Sequence, residues 1–168
     1  MINERAKAIL EFCFVETPMD QWFKKDEDFD ATLKNNFMQD YIKATNNEID
    51  NWKDNPEECV ALIMLLDQFS RNFFRDNTKA YEQDKKCRNI VKEAVSKNYL
   101  FKLNEDKIHF LLLPLIHSED IKDHIFGHDL VDKFLKNHLE YKKIKKAWND
   151  HTIACLLYTS PSPRDRRL

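Results

Sequence analysis

Asn55-Pro-Glu-Glu-Cys-Val-Ala-Leu-Ile-Met-Leu-Leu-Asp-Gln-Phe69 is the stretch on which the fold turns. Asn55 reads as an N-cap, Pro56 as the first helical residue, where its missing N–H costs nothing, and Glu58 stands three residues after the cap. From Val60 to Leu66 the sequence is apolar nearly all round, and a helix without a polar face belongs in the interior. A central buried helix, 55–69, is therefore the starting point.

Helices are expected on both sides of it. Arg5–Phe14 turns Ile9, Leu10 and Cys13 to one face and is broken by Thr17-Pro18. Residues 28–45 carry Phe29, Leu33, Phe37 and Tyr41 in an i, i+4 stripe, started by the acidic 26–28 cluster. After the central helix, Asn77-Thr78 caps a helix to about Lys97 with Tyr81, Cys87, Val91, Ala94 and Val95 inward. Asn104 caps another, Glu105–His117, with a kink expected near Pro114. Ser118-Glu-Asp caps a sixth with Ile121, Ile125, Leu130, Phe134 and Leu135 inward and Gly127 as a break, and Tyr141–Ala154 forms the last.

One glycine and five prolines in 168 residues leave too few tight turns for a β-sandwich or barrel, and no glycine loop for a nucleotide fold. The expected class is all-α: about six to seven helices in antiparallel hairpins, a tetratricopeptide-like stack. No 34-residue repeat is found, so a superhelical array does not follow. The longest apolar runs, Cys59–Leu66 and Phe110–Ile116, fall well short of the ~20 residues a membrane-spanning helix needs. Cys13, Cys59 and Cys87 form no metal-type cluster and read as buried free thiols of a cytoplasmic protein.

Residues 1–154 read as one helical domain. Cys155–Leu168 reads differently: Cys-Leu-Leu-Tyr-Thr-Ser-Pro-Ser-Pro-Arg-Asp is similar to the in-frame translation of a transposase adaptor and is set aside as a disordered, non-native tail. Without it the basic count falls from 27 to 24 and the acidic from 29 to 28, a mildly acidic body that argues against nucleic-acid binding.

Chemistry concentrates in two places. Asp67, Gln68, Arg71, Asn72 and Arg75 directly follow the most apolar helix, where polar groups must be paired. Asp67–Arg71 and Gln68–Asn72 share i, i+4 spacing and can pair. Arg71 and Arg75 share it too and would repel, unless an anion or a bend at Asn72 intervenes. The alternatives are an interhelical salt-bridge network and an anion-binding site. His117-Ser118-Glu119 lies at a helix junction, where free N–H groups and an imidazole could act as donors or as acid and base; a plain capping sequence is the alternative. His124 and His128, also i, i+4, read as an exposed-face coincidence, and neither a metal nor a cofactor is implied. Trp22, Phe23 and Trp52 read as core or groove aromatics. No nucleophile arrangement can be argued from spacing.

Four stretches resemble one family: Ile9–Phe14, Trp22–Asp30, Leu65–Arg75 and Leu113–Asp120. In order and spacing they are similar to the bacterial family called domain of unknown function 924. The resemblance implies an all-α, tetratricopeptide-like fold and no established activity. It also implies that Asp67, Gln68, Arg71, Asn72, Arg75, His117, Ser118 and Glu119 line one pocket. Cys13 and Ser70 depart from the family pattern, which has Trp and Pro there. The pattern also implies an Arg/His/Asn-rich segment soon after His151, where this chain has the adaptor-like string.

Two functions follow as expectations. In one, Arg71 and Arg75 clamp a small anionic ligand, a carboxylate or phosphate, with Asp67 and Gln68 orienting them and His117 and Glu119 as acid/base or donor pair. In the other, the protein is a helical module for a protein or peptide partner, with Trp22 and Trp52 in an open groove and the arginines fully salt-bridged.

Overall fold

The computed structural model describes residues 1–157, and among them no strand forms. The helices are α1 (Glu4–Glu11), α2 (Glu27–Thr45), α3 (Pro56–Ile63), α4 (Ser70–Phe73), α5 (Asp84–Ser96), α6 (Glu105–Ile116), α7 (Ile121–Phe134) and α8 (Tyr141–Leu157). A π-helical turn, Phe12–Glu16, extends α1, and a second, Met64–Phe69, joins α3 to α4 in one rod over residues 56–73. Counting that rod once, seven helices make up the described fold.

The rod is the centre, as its composition dictates. Cys59 through Ser70 are all buried, and α3 packs on α1, α5 and α6 while α2 covers the π turn and α4. Helices α5 to α8 then pack in chain order, each on the next. Asn55 caps the rod by accepting from the backbone N–H of Glu57 and Glu58 at 2.9 and 3.1 Å. Glu58 does not close a capping box. It accepts instead from the backbone N–H of Asn3 at 2.7 Å and so ties the start of α1 to the start of α3. Asp26, Asn104 and Asp120 cap α2, α6 and α7.

Several expectations need correction. The helix expected from Asn77 is two pieces, a 3₁₀ turn Thr78–Tyr81 and then α5. Gly127 does not break α7; it lets the Trp148 ring lie against the helix. Ile125 points outward, 57% exposed, and the inward face of α7 carries Asp123 and His124 with Leu130 and Val131. His124, expected on an exposed face, is only 1% exposed, because α8 covers it. The boundary at Ala154 falls inside α8, whose helix includes Cys155, Leu156 and Leu157; the rest of the adaptor-like stretch, 158–168, lies outside the described residues.

Trp22 and Trp52 are core residues, each 3% exposed. Trp22 stacks on Phe69, whereas Phe23 lies at the surface. Cys13, Cys59 and Cys87 are buried free thiols, and burial raises the pKa of each, that of Cys59 to about 12. No helix among the described residues is long and apolar enough to cross a membrane.

Candidate functional site

The π turn carries the first half of the site. Its wider winding continues the rod through Asp67 and Gln68, and Ser70 Oγ bonds back to the Leu66 carbonyl at 2.6 Å. Asp67 and Arg71 remain one turn apart, and Arg71 Nη1 donates to the Asp67 carboxylate at 3.1 Å. The same guanidinium forks onto Asp84 at the start of α5, with Nη1 and Nη2 each 3.1 Å from a carboxylate oxygen. Its Cζ lies 5.4 Å from the centre of the Tyr81 ring. Burial opposes the charge on Arg71, but Asp67 and Asp84 outweigh it and hold the guanidinium pKa above its ordinary value.

His117 closes this group from the end of α6. Its Nδ1 lies 3.0 Å from Asp67 Oδ1, so the buried carboxylate takes a hydrogen bond from the imidazole and another from Arg71. An Nδ1–H held in this way leaves Nε2 as the working nitrogen, and Nε2 bonds to nothing among the described residues. The His151 ring of α8 approaches edge-on at 6.2 Å between centroids.

Gln68, Asn72 and Arg75 form a second group with Asp30. Gln68 Nε2 donates to Asn72 Oδ1 at 3.1 Å, and Asn72 Nδ2 donates to Asp30 Oδ1 at 2.9 Å. Arg75 grips both oxygens of Asp30 through Nε and Nη2 and also reaches the Lys24 carbonyl. The repulsion expected between Arg71 and Arg75 is thus relieved by the chain's own carboxylates, Asp67 and Asp84 for one and Asp30 for the other.

Ser118 belongs to a third group. Its hydroxyl donates to Asp123 Oδ2 at 2.6 Å and accepts from the Asp120 N–H at 3.0 Å. Burial pushes the Asp123 pKa up, but the Lys92 ammonium at 2.8 Å and Ser118 outweigh it and leave the group below its ordinary value. Glu119 is exposed at the rim, and its carbonyl lies 3.4 Å from Cys155 Sγ. The carboxylate facing His117 is Asp67 rather than Glu119. Of the eight expected residues, Asp67, Arg71 and His117 converge, three gather on Asp30, and Ser118 turns to α7.

Sequence reasoning singled out neither Asp84 nor Asp30 for the site, and it used His151 only as a landmark in the family pattern. Asp30 follows the acidic 26–28 cluster that read as a helix start and ends the Trp22–Asp30 stretch, but no role is read for it. Charge balance was the available signal: two arginines beside a fully apolar helix require carboxylates from elsewhere. Among the described residues no three His, Cys, Asp or Glu side chains come together as a metal ion would need.

Comparison with known proteins agrees with this architecture. A protein of unknown function from Agrobacterium tumefaciens has a similar solved structure, with a TM-score of 0.74 and 31% identity over 96% of this chain and 94% of that one. No curated protein matches the chain. The family model described as bacterial protein of unknown function, DUF924, matches residues 9–155. That match covers most of the chain, no strand forms among the described residues, and the protein belongs to the DUF924 family.

Proposed function

We propose that the protein binds a small anionic ligand, a carboxylate or phosphate, at Nε2 of His117. The observation that carries this reading is the Asp67 carboxylate, 1% exposed, which holds both His117 Nδ1 and Arg71 and leaves Nε2 without a partner among the described residues, an acceptor in the neutral ring and a donor to an anion when protonated. Arg71 and Arg75 have carboxylates of their own, so they serve as framework rather than clamp. The same Nε2 can pass a proton to or from the ligand, which is the chemistry an enzyme of this build would use.

Calorimetric titration with a panel of carboxylates and inorganic phosphate tests this. A ligand should raise the melting temperature of wild type, and its affinity should fall at least about tenfold in His117→Gln. Arg75→Gln should leave affinity nearly unchanged. No response across the panel, or equal binding by His117→Gln, would overturn the reading.

A peptide-binding module would be favoured by Trp22 and Trp52 on an open groove together with salt-bridged arginines; Arg71 and Arg75 are paired with carboxylates, but both tryptophans are in the core. We infer further a tetratricopeptide-like stacking of the helices, supported by the serial packing of α5 to α8. A cytoplasmic setting is supported by three buried free thiols.

A further inference from the structure

One chain of hydrogen bonds fastens α8 to α7, and its partners fix the position of every proton in it. His124 Nε2 lies 2.7 Å from the Ser118 carbonyl, which can only accept, so Nε2 carries the hydrogen. In the neutral ring Nδ1 is then an acceptor, and at 2.8 Å it takes the Thr152 hydroxyl proton. Thr152 Oγ1, having donated, accepts from His128 Nε2 at 2.9 Å. His128 Nδ1 is left bare and faces the Lys145 ammonium at 2.9 Å, which can only donate. The order runs without conflict from Lys145 through His128, Thr152 and His124 to Ser118, provided both imidazoles are neutral.

A proton added to His128 has nowhere to go. It must sit on Nδ1, where it meets an ammonium at hydrogen-bond distance: two donors and two positive charges face each other. The charged and titratable groups facing His128 are Lys145 from α8 and His124, Asp129 and Asp132 from α7. Asp132 is itself engaged by Lys145 at 3.0 Å and by the Tyr141 hydroxyl at 2.6 Å, so it compensates only in part. Trp148, 1% exposed and edge-on to His128 at 5.6 Å between centroids, is the apolar anchor beside the chain.

We propose that this chain is an acid-sensitive latch: proton uptake at His128 breaks its contact with Lys145 and frees the Thr152 half of α8 from α7 while the central rod stays folded. The direction agrees with the electrostatics, since burial, then Lys145 and His124, lower the His128 pKa from its ordinary 6.5. The latched state therefore binds fewer protons than the released one, and falling pH favours release. The latch stands independently of the ligand reading of His117. It does govern the helix that carries His151 to that site.

Hydrogen-exchange mass spectrometry on the full chain, corrected for intrinsic rates, tests it from neutral pH down to about 5. Peptides from 141–157 should lose protection by up to about tenfold per pH unit, the slope of a one-proton latch, while peptides from 56–73 keep theirs. His128→Gln cannot charge and should flatten the dependence. Lys145→Met removes the opposing ammonium and should weaken it. Thr152→Val removes the bridge and should leave α8 weakly protected at every pH. Protection of α8 that ignores pH, that falls in step with the whole chain, or that keeps its slope in both His128→Gln and Lys145→Met would overturn the proposal.

Discussion

Two polar assemblies hold this molecule together, and they are built on opposite terms. At the end of the rod, Asp67, Arg71 and Asp84 meet as full charges, with Asp30 and Arg75 close behind. Between α7 and α8, Lys145, His128, Thr152 and His124 form a chain that requires its imidazoles to be neutral. Carboxylate–guanidinium pairs keep their charges across the physiological range, so the first assembly depends little on pH and much on having both partners present. The second gives up little charge to burial, but it is conditional on pH. One region is a permanent framework and the other a fastening.

The largest expected effect comes from breaking the framework. Arg71→Met removes the cation that bridges two buried carboxylates and should cost about 3–5 kcal/mol, read from urea denaturation near neutral pH. Arg71→Lys should recover little, because a point charge cannot fork onto Asp84 while also meeting Asp67. A loss below about 1 kcal/mol for Arg71→Met would place these carboxylates in a far wetter environment than their burial implies.

Between the two assemblies lies α6, and it adds an acid sensitivity of its own. His109 is buried, its Nδ1 has no partner among the described residues, and burial, then His138, lower its pKa to about 4. The unfolded chain takes up this proton near 6.5, before the folded chain can. Stability is therefore fully present above that pH and drains away as pH falls towards about 4, by about 3 kcal/mol in all. His109→Leu should flatten that part of the profile in urea melts recorded at a series of pH values. The loss is global, since His109 belongs to the core, and this separates it from release of α8 alone. A profile that His109→Leu does not alter would remove His109 as the cause.

The framework was the more legible of the two in the sequence. Asp67–Arg71 and Gln68–Asn72 are local pairs at helical spacing, and Asn55-Pro56 announced the rod that carries them. Their remote partners were not legible. Asp84, Asp30 and His117 are brought in by packing, and nothing in sequence spacing encodes which carboxylate meets which arginine. The fastening was misread because its burial is tertiary: the period of α7 favoured Ile125 inward, yet α8 covers His124 instead. Glycine misled in the same way. Inside a helical pattern it reads as a break, whereas here it serves close approach.

Gly127 gives the smallest of the three effects and the sharpest test of how the fastening is assembled. A Cβ at this position would lie 2.5 Å from Trp148 Cζ3, 3.1 Å from Cη2 and 3.2 Å from Leu115 Cβ. Neither neighbour can yield easily, since Trp148 is 1% exposed and Leu115 is wholly buried. Gly127→Ala gains about 1 kcal/mol of helix propensity and loses about 2–3 to overpacking, so a net loss of about 1–2 kcal/mol is expected in thermal or urea melts. The displaced indole is the anchor beside His128, so the variant should raise exchange in 141–157 at neutral pH and leave Arg71 and its partners undisturbed. Trp148→Phe supplies the control. A smaller ring makes room for the new methyl group, so the double variant should be less destabilised than the sum of the two singles. Strict additivity would mean that the ring moves away at no cost, and the contact between α7 and α8 would then rest on the hydrogen-bonded chain alone.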